Sequence, residues 1–228
     1  MKQLNNLYNG DCISFMSVVG GGMEDNSIDL TLTDIPYDGV NNVKESGLRK
    51  LSKGKADVLT FDLDMFLEQV YRVTSGTIII FCNDTQLSKI MQFFRDKQNI
   101  SKHKISIRQL VWAKTNPSPI NGKYMYLSGC ENAVWVRKKG ATFNAHCKSN
   151  VFRHPCGRSK LHPTEKNHKL LKELILDNSN EGDIVFDPCA GSGAHLLCAK
   201  ELGRNYVGCE LDKEFYDIAN DRLKDSTI

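Results

Sequence analysis

The sequence predicts an α/β fold, a mostly parallel sheet covered by helices on both faces. Short apolar runs, the mark of buried strands, recur at residues 28–33, 77–82, 105–112, 132–136, 183–186 and 206–209. Helical patterns fall between most of them. Strands that alternate with helices imply parallel pairing with both sheet faces covered. At 228 residues the chain fits one large domain, residues 1–228, and is long enough to bury a core without staples.

The elements follow in order. The strand at 28–33 runs into Thr33-Asp34-Ile35-Pro36-Tyr37. Residues 63–73 carry apolar side chains at roughly helical spacing, ahead of the strand at 77–82. A helix is expected over 85–96, opened by a cap at Asp84. The runs at 105–112 and 132–136 come next, then a helix at 168–177, the strand at 183–186, a helix at 194–202, the strand at 206–209 and a closing helix at 214–223. Two stretches break the rhythm. Residues 38–57 are polar and rich in Gly, Lys and Asn, and residues 116–162 are rich in Gly, Pro, Asn and basic side chains. Long irregular segments in a compact domain are commonly functional, so both are expected to be loops facing a substrate.

Composition excludes several classes. The chain is 40% hydrophobic and 25% charged, ordinary for a soluble globular protein. It has no run of eighteen apolar residues and no apolar leader at its start, so no membrane span is expected and the cytoplasm is the expected compartment. The 8 cysteines form no C-x-x-C pair and read as free thiols. The grouping His146, Cys147, His154, Cys156 and His162 matches no common zinc spacing, so no metal is expected. A net charge of +3 says little, but its distribution says more. Between residues 137 and 172 the only acid is Glu165, against ten Lys and Arg, and Lys44, Arg49, Lys50, Lys53 and Lys55 form a second cluster. Such clusters suit phosphate backbones, although charge alone fits a solvated face equally well.

Two constellations carry chemistry. Gly182 to Gly193 reads G-D-I-V-F-D-P-C-A-G-S-G, a strand, a Gly-rich turn and the start of a helix. Glycines there let backbone approach a ligand closely. Glu210 ends the next strand, nineteen residues after Gly191, where a carboxylate can accept both ribose hydroxyls of a nucleoside. The turn lacks a third Gly at pyrophosphate spacing, and Asp187 at the strand end would repel a phosphate but suits an ammonium group. S-adenosylmethionine has an ammonium, a ribose and a sulfonium, and no phosphate. The second constellation is Asp34, Pro36 and Tyr37 at a strand's carboxyl end, the edge where ligands bind in open α/β sheets. An exocyclic amino group is a poor nucleophile because its lone pair delocalises into the base. A carboxylate and a carbonyl accepting its two N–H bonds favour a pyramidal, more reactive nitrogen. Pro fixes the turn, and Tyr37 offers a ring face to a base taken out of the stack.

Together these residues resemble the amino-methyltransferases of DNA, in the circularly permuted group called beta. That group carries D-P-P-Y ahead of its cofactor turn, as D-I-P-Y precedes D-P-C-A-G-S-G here. The resemblance runs nearly the full chain. L-Y-N-G-D-C-I-S-F-M from Leu7 is similar to the opening segment, W-A-K-T-N-P-S-P from Trp112 and C-E-N-A-V-W-V from Cys130 to the central one. L-H-P-T-E-K from Leu161 is similar to H-P-T-Q-K-P, and V-G-C-E-L-D from Val207 to the ribose-binding strand.

The resemblance implies a doubly wound, seven-stranded, Rossmann-like methyltransferase fold and S-adenosylmethionine as cofactor. The strands at 78–82 and 105–112 would extend the sheet beyond the catalytic strand, and the one from Cys130 would pair antiparallel near an edge. The implied cofactor residues are Asp11, which would accept from the cofactor's adenine amino group, Cys12, Asp34, Thr164, Lys166, Asp187, Pro188, Cys189, Gly191, Ser192, Gly193, Glu210 and Leu211. Asp34, Pro36 and Tyr37 are the implied catalytic residues. Two departures stand out. Ile35 replaces a proline, with little expected effect, and Asn167 replaces the proline after Lys166, which is expected to loosen that loop. Adenine-N6 members carry Asp at position 34 where cytosine-N4 members carry Ser, so the implied substrate is adenine in double-stranded DNA. Cytosine-N4 methylation, methylation of RNA or of a protein side-chain amide, and a catalytically silent nucleic-acid-binding protein are the other readings. The chain is short for a stand-alone member of the group, which points to a homodimer sharing DNA contacts. Restriction–modification is the implied setting, and nothing in the sequence itself points to a companion restriction enzyme.

Overall fold

The computed structural model describes residues 3–18, 21–37, 60–100, 104–119, 122–157 and 165–225. The basic cluster Lys44, Arg49, Lys50, Lys53 and Lys55, the whole of 38–57, and Arg158, Lys160, His162 and Thr164 lie outside them. In chain order the elements are β1 (Asn6–Asn9), α1 (Cys12–Met16), β2 (Ile28–Asp34), α2 (Leu63–Val73), β3 (Thr74–Cys82), α3 (Asp84–Ile100), β4 (Ile105–Lys114), β5 (Cys130–Lys138), β6 (Val151–His154), α4 (His168–Asn178), β7 (Ile184–Asp187), α5 (Ala194–Glu201), β8 (Asn205–Glu210) and α6 (Lys213–Asp225).

The strands form one sheet in the order β1-β8-β7-β2-β3-β5-β4-β6. All neighbours pair parallel except that β5 lies antiparallel to both β3 and β4. The sheet thus has eight strands among the described residues, one more than expected. The six apolar runs are all present, and the two additional strands lie at the sheet's edges. β1 buries only Leu7 and β6 only Phe152. Residues 116–162 are therefore not all loop, since β6 hydrogen-bonds along β4 with Val111 opposite Val151. An edge strand with a single buried side chain leaves no apolar run to read.

Burial explains the central strands. β3 is buried at eight of its nine positions, as a strand covered on both faces must be. On one face, α1, α2 and α3 pack over Ile28, Ile78, Ile80, Val134 and Phe186. On the other, α4, α5 and α6 pack over Leu30, Leu32, Ile79, Val185 and Tyr206. α2 shows why its segment is helical: Leu63, Phe66, Leu67, Val70 and Val73 form one buried stripe at 3–4 residue spacing. Asp62 caps it by accepting from the Met65 amide at 2.9 Å. The cap of α3 is Asn83 rather than Asp84. Asn83 Oδ1 accepts from the Gln86 amide at 2.8 Å, and Asp84 is the first helical residue.

Most of the loop that Asn167 was expected to loosen, residues 158–164, lies outside the described residues, but Asn167 itself is held. Its side chain caps α4, accepting from the Lys169 and Leu170 amides at 2.9 and 3.3 Å, and its Nδ2 donates to the Pro155 carbonyl at 3.0 Å. Asn is among the strongest N-cap residues, whereas proline lacks a side-chain acceptor. Among the described residues no helix is long and apolar enough to cross a membrane.

The sheet order sets the site. From β2 the chain crosses through α2 to β3 on one side, and from β7 it crosses through α5 to β8 on the other. β2 and β7 are neighbours, with Leu30 opposite Val185. Their carboxyl ends flank a topological switch point, the crevice where open α/β sheets bind ligands.

Candidate functional site

Asp34 ends β2 on the face covered by α4 and α5. Its Oδ2 accepts from Lys166 Nζ at 2.5 Å, while its Oδ1 is buried with no partner among the described residues. Lys166, only 3% exposed at its side chain, also reaches Glu131 Oε2 at 3.0 Å and donates to the Tyr37 hydroxyl at 3.2 Å. Tyr37 in turn donates to Glu131 Oε2 at 3.3 Å, and Lys114 Nζ lies 2.9 Å from Glu131 Oε1. Two ammonium and two carboxylate groups alternate along this chain, which balances charge in a place where an unpaired one would be costly.

Electrostatics follow from that arrangement. Burial raises the Asp34 carboxyl's affinity for a proton, and Lys166 offsets this only in part. For Lys166 burial opposes the charge, but Asp34, Tyr37 and Glu131 outweigh it and hold the ammonium well above the ordinary lysine value. Burial likewise pushes Glu131 up, and Lys166 and Lys114 reverse the sign. Pro36 is held from α3, where the buried Gln86 donates Nε2–H to its carbonyl at 2.8 Å. A carbonyl has two lone pairs, so one acceptor direction remains.

The second half of the site lies beside β7 and β8. Asp187 is fully buried, and its oxygens accept from Thr33 Oγ1 at 2.8 Å and the Cys189 amide at 3.1 Å, with His195 Nδ1 at 2.6 Å. It is therefore not the open carboxylate that its place at the strand end suggested. His195 Nε2, on the far side of the ring from Asp187, is buried without a partner among the described residues. Pro188, Cys189 and Ala190 form the turn before Gly191 and Gly193, whose φ angles are +51° and +76°. A Cβ on Gly193 would also sit 3.0 Å from that of Ala219 in α6, so Gly193 needs glycine for both reasons.

Glu210 is fixed by two backbone amides. Its Oε2 accepts from the Gly191 amide and its Oε1 from the Asp212 amide, both at 2.8 Å. Each oxygen keeps a free lone pair, which suits two adjacent hydroxyls. Asp11 caps α1 through the Ser14 amide at 2.8 Å, and Cys12, the first residue of that helix, is buried. Leu211, 53% exposed, stands at the rim. Ser192 is buried and donates to Glu165 Oε2 at 2.9 Å. Glu165 also takes both guanidinium nitrogens of Arg222 at 3.0 Å, so one carboxylate ties the Gly-rich turn, α6 and the segment bearing Lys166 together.

Sequence reasoning brought Asp34, Pro36 and Tyr37 together correctly as neighbours, and Asp11, Cys189, Gly191 and Glu210 as a second group. It placed Lys166 in the cofactor set together with Asp34, and the structure seats Lys166 on Asp34. It missed Glu131, Lys114, Gln86, His195 and Arg222. An acid at the head of an apolar strand, C-E-N-A-V-W-V, and a lysine closing W-A-K were the available signals for the first two.

The donor set fits a nucleoside with a charged tail: a carboxylate with two free lone pairs, a glycine cradle, and an orphaned imidazole nitrogen. Comparison with known proteins agrees. The family model described as DNA methylase, for N6 and N4 methyltransferases, matches residues 28–221. The type II methyltransferase M.HpaI of Haemophilus parainfluenzae is 32% identical, over 88% of this chain and 69% of its own. The M1.HpyAVI crystal structure in complex with SAM superposes with a TM-score of 0.71 at 26% identity, over 95% of this chain and 98% of that one. The cytosine-N4-specific PvuII DNA methyltransferase shares the fold, with a TM-score of 0.71 at 16% identity over 98% of this chain and 87% of its own. The chain belongs to the N6/N4 family of DNA methylases.

Proposed function

We propose that residues 1–228 form one domain that transfers a methyl group from S-adenosylmethionine to N6 of adenine in double-stranded DNA. The observation that carries this reading is Asp34. One of its oxygens is fixed by Lys166, and the other is buried without a partner among the described residues, while Gln86 holds the Pro36 carbonyl and Lys166 the Tyr37 hydroxyl. An amino group with two N–H bonds is the complement of that pair of acceptors.

Glu210, Gly191, Ser192 and Gly193 would hold the cofactor's ribose and adjoining backbone-facing edge, with Asp11, Cys12, Pro188, Cys189 and Leu211 around its base. Asp187 through His195, with Thr164, would meet its amino-acid end. When bound, the cofactor supplies a methyl group activated by a sulfonium. The chain's residues do the rest. Tyr37 presents a ring to the extruded base. Asp34 Oδ1 and the Pro36 carbonyl accept the two N–H bonds and so fix the nitrogen in line, the kind of positioning that removes much of a bimolecular barrier. Burial raises Asp34's proton affinity, which supports this oxygen as the first resting place of the proton that the nitrogen loses. Asp34 rather than Ser also supports adenine over cytosine, by the resemblance.

The test is transfer of tritiated methyl to DNA, RNA and protein in parallel, followed by digestion of the DNA and mass analysis of its nucleosides. The reading expects label on DNA as N6-methyladenine. N4-methylcytosine would overturn the base assignment, and label on RNA or protein alone would overturn the substrate.

A further inference from the structure

Among the described residues, exposed large apolar side chains are scattered except at one place. Tyr124 is 80% exposed, Met125 63%, Tyr126 101% and Leu127 42%, four in succession. Contiguous exposed apolar side chains mark a binding surface far more often than single ones do. This segment leaves the carboxyl end of β4 and returns at the amino end of β5, which is antiparallel. Both its feet therefore stand on the edge of the sheet that carries the site.

The feet are also part of the site. The Lys114 amide donates to the Gly129 carbonyl at 2.8 Å and closes the base of the excursion. Lys114 and Glu131 then form the ion pair that supports Lys166 and Tyr37. Nearer the tip, the Gly122 amide donates to the Pro119 carbonyl at 3.0 Å. A Cβ on Gly122 would lie 2.8 Å from Leu127 Cδ2, so Leu127 folds back on this turn and leaves Tyr124, Met125 and Tyr126 outermost. Between Lys114 and Glu131 the sequence holds no acid, and Lys123 adjoins Tyr124, its Nζ 5.6 Å from the ring centroid.

We propose that Tyr124, Met125 and Tyr126 form a wedge that enters the DNA duplex at the target step and fills the gap left by the extruded base. The inference rests on the reading of the site as one that takes a base out of a duplex. Extrusion loses stacking and pairing on both sides of the gap. Apolar side chains inserted between base steps are the usual physical compensation, and an aromatic face accepts any base. A tip that is aromatic, apolar and basic, tethered to the groups around Asp34, has the chemistry and the position for it. The same chemistry makes the wedge tolerant of sequence, so it assists opening rather than recognition.

The experiment uses the full chain and an oligonucleotide duplex bearing the sequence that the enzyme modifies, mapped by sequencing DNA from cells that express it. A Tyr124→Ala/Tyr126→Ala variant is compared with wild type on this duplex and on one whose target base faces an abasic site. Losing the stacking of one or two bases should slow methylation of the paired duplex roughly ten- to a hundredfold. On the abasic duplex the variant should stay within about threefold of wild type, since extrusion costs little there. Tyr124→Phe/Tyr126→Phe should behave as wild type on both. Equal loss on the two duplexes, or no loss on the paired one, overturns the wedge. So does a change of sedimentation coefficient in the alanine variant with methylation intact, which would make the patch a subunit interface. Wild type that methylates neither duplex would fail the reading of the site itself, a result distinct from any of these.

Discussion

Lys166→Met is the most informative substitution away from the reacting atoms. It keeps the length of the side chain and removes a cation that serves Asp34, Glu131 and Tyr37 at once. Glu131 retains Lys114 at 2.9 Å, but Asp34 retains no cation within salt-bridge distance among the described residues. Breaking a buried pair by removing one partner costs about 3–5 kcal/mol. The Lys166 side chain is 3% exposed and that of Asp34 21%, so the cost is not screened away. With a urea slope of roughly 2–3 kcal/mol per molar, the unfolding midpoint should fall by about 1–2.5 M. The carboxyl left behind has a sign to check as well. Burial raises its proton affinity and Lys166 is the main opposing influence, so its titration should move further up. Activity that needs the ionised carboxylate should then recover only at higher pH than in wild type. Asp34→Asn in the Lys166→Met background should restore much of the stability, because no charge is left stranded, while methyl transfer stays absent. Urea titrations of the four proteins and a pH–rate profile provide the assay. Strict additivity of the two stability losses, or an unmoved acid limb, would refute the coupling.

Further outcomes follow from the same geometry. Glu210→Ala should weaken S-adenosylmethionine binding about ten- to a hundredfold by calorimetry, the worth of lost bonds to a charged group; a well-folded variant of unchanged affinity would remove the ribose site. Tyr37→Phe keeps the ring face and should retain far more activity than Tyr37→Ala, yet lose some, because its hydroxyl bridges Glu131 and Lys166; equal loss in both would give the hydroxyl the role assigned to the ring. Glu165 should shape the acid stability. Burial alone would raise it, but bonds from His168, Arg222 and Ser192 win and hold it well below the ordinary carboxylate range. A depressed folded value contributes stability above the unfolded value of about 4.3 and loses it as pH falls toward the folded one. Glu165→Gln should therefore lower Tm at pH 7, with a gap that closes as pH drops below about 4; a gap of constant size would contradict this.

The parallel core was legible because its central strands are covered on both faces and so read as apolar runs, as β3 does over residues 78–82. β1 and β6 bury one side chain each and carry no such signature. The site divides in the same way. Asp34, Pro36, Tyr37, Gly191 and Glu210 sit at strand ends beside punctuating residues, where chain order and turn chemistry announce them. The ion-pair chain is a product of register. Lys114 and Glu131 are far apart in sequence and meet because Trp112 lies opposite Glu131 in an antiparallel pair. Lys166 comes to Asp34 only because the start of α4 lies over β2. His195 lay unread for another reason: a histidine in the first turn of a helix has no pattern of its own, and its meaning comes from the buried Asp187 beneath it.

The central claim is that Asp34 Oδ1 activates the target nitrogen, and single-turnover methyl transfer by Asp34→Ala tests it most directly. The variant is saturated with S-adenosylmethionine, its affinity verified by calorimetry, and mixed with DNA carrying the mapped site. The account predicts cofactor binding within a few-fold of wild type and methyl transfer lower by at least about a hundredfold, the low end of what one positioned acid–base group contributes. Methylation at a rate near that of wild type would contradict it.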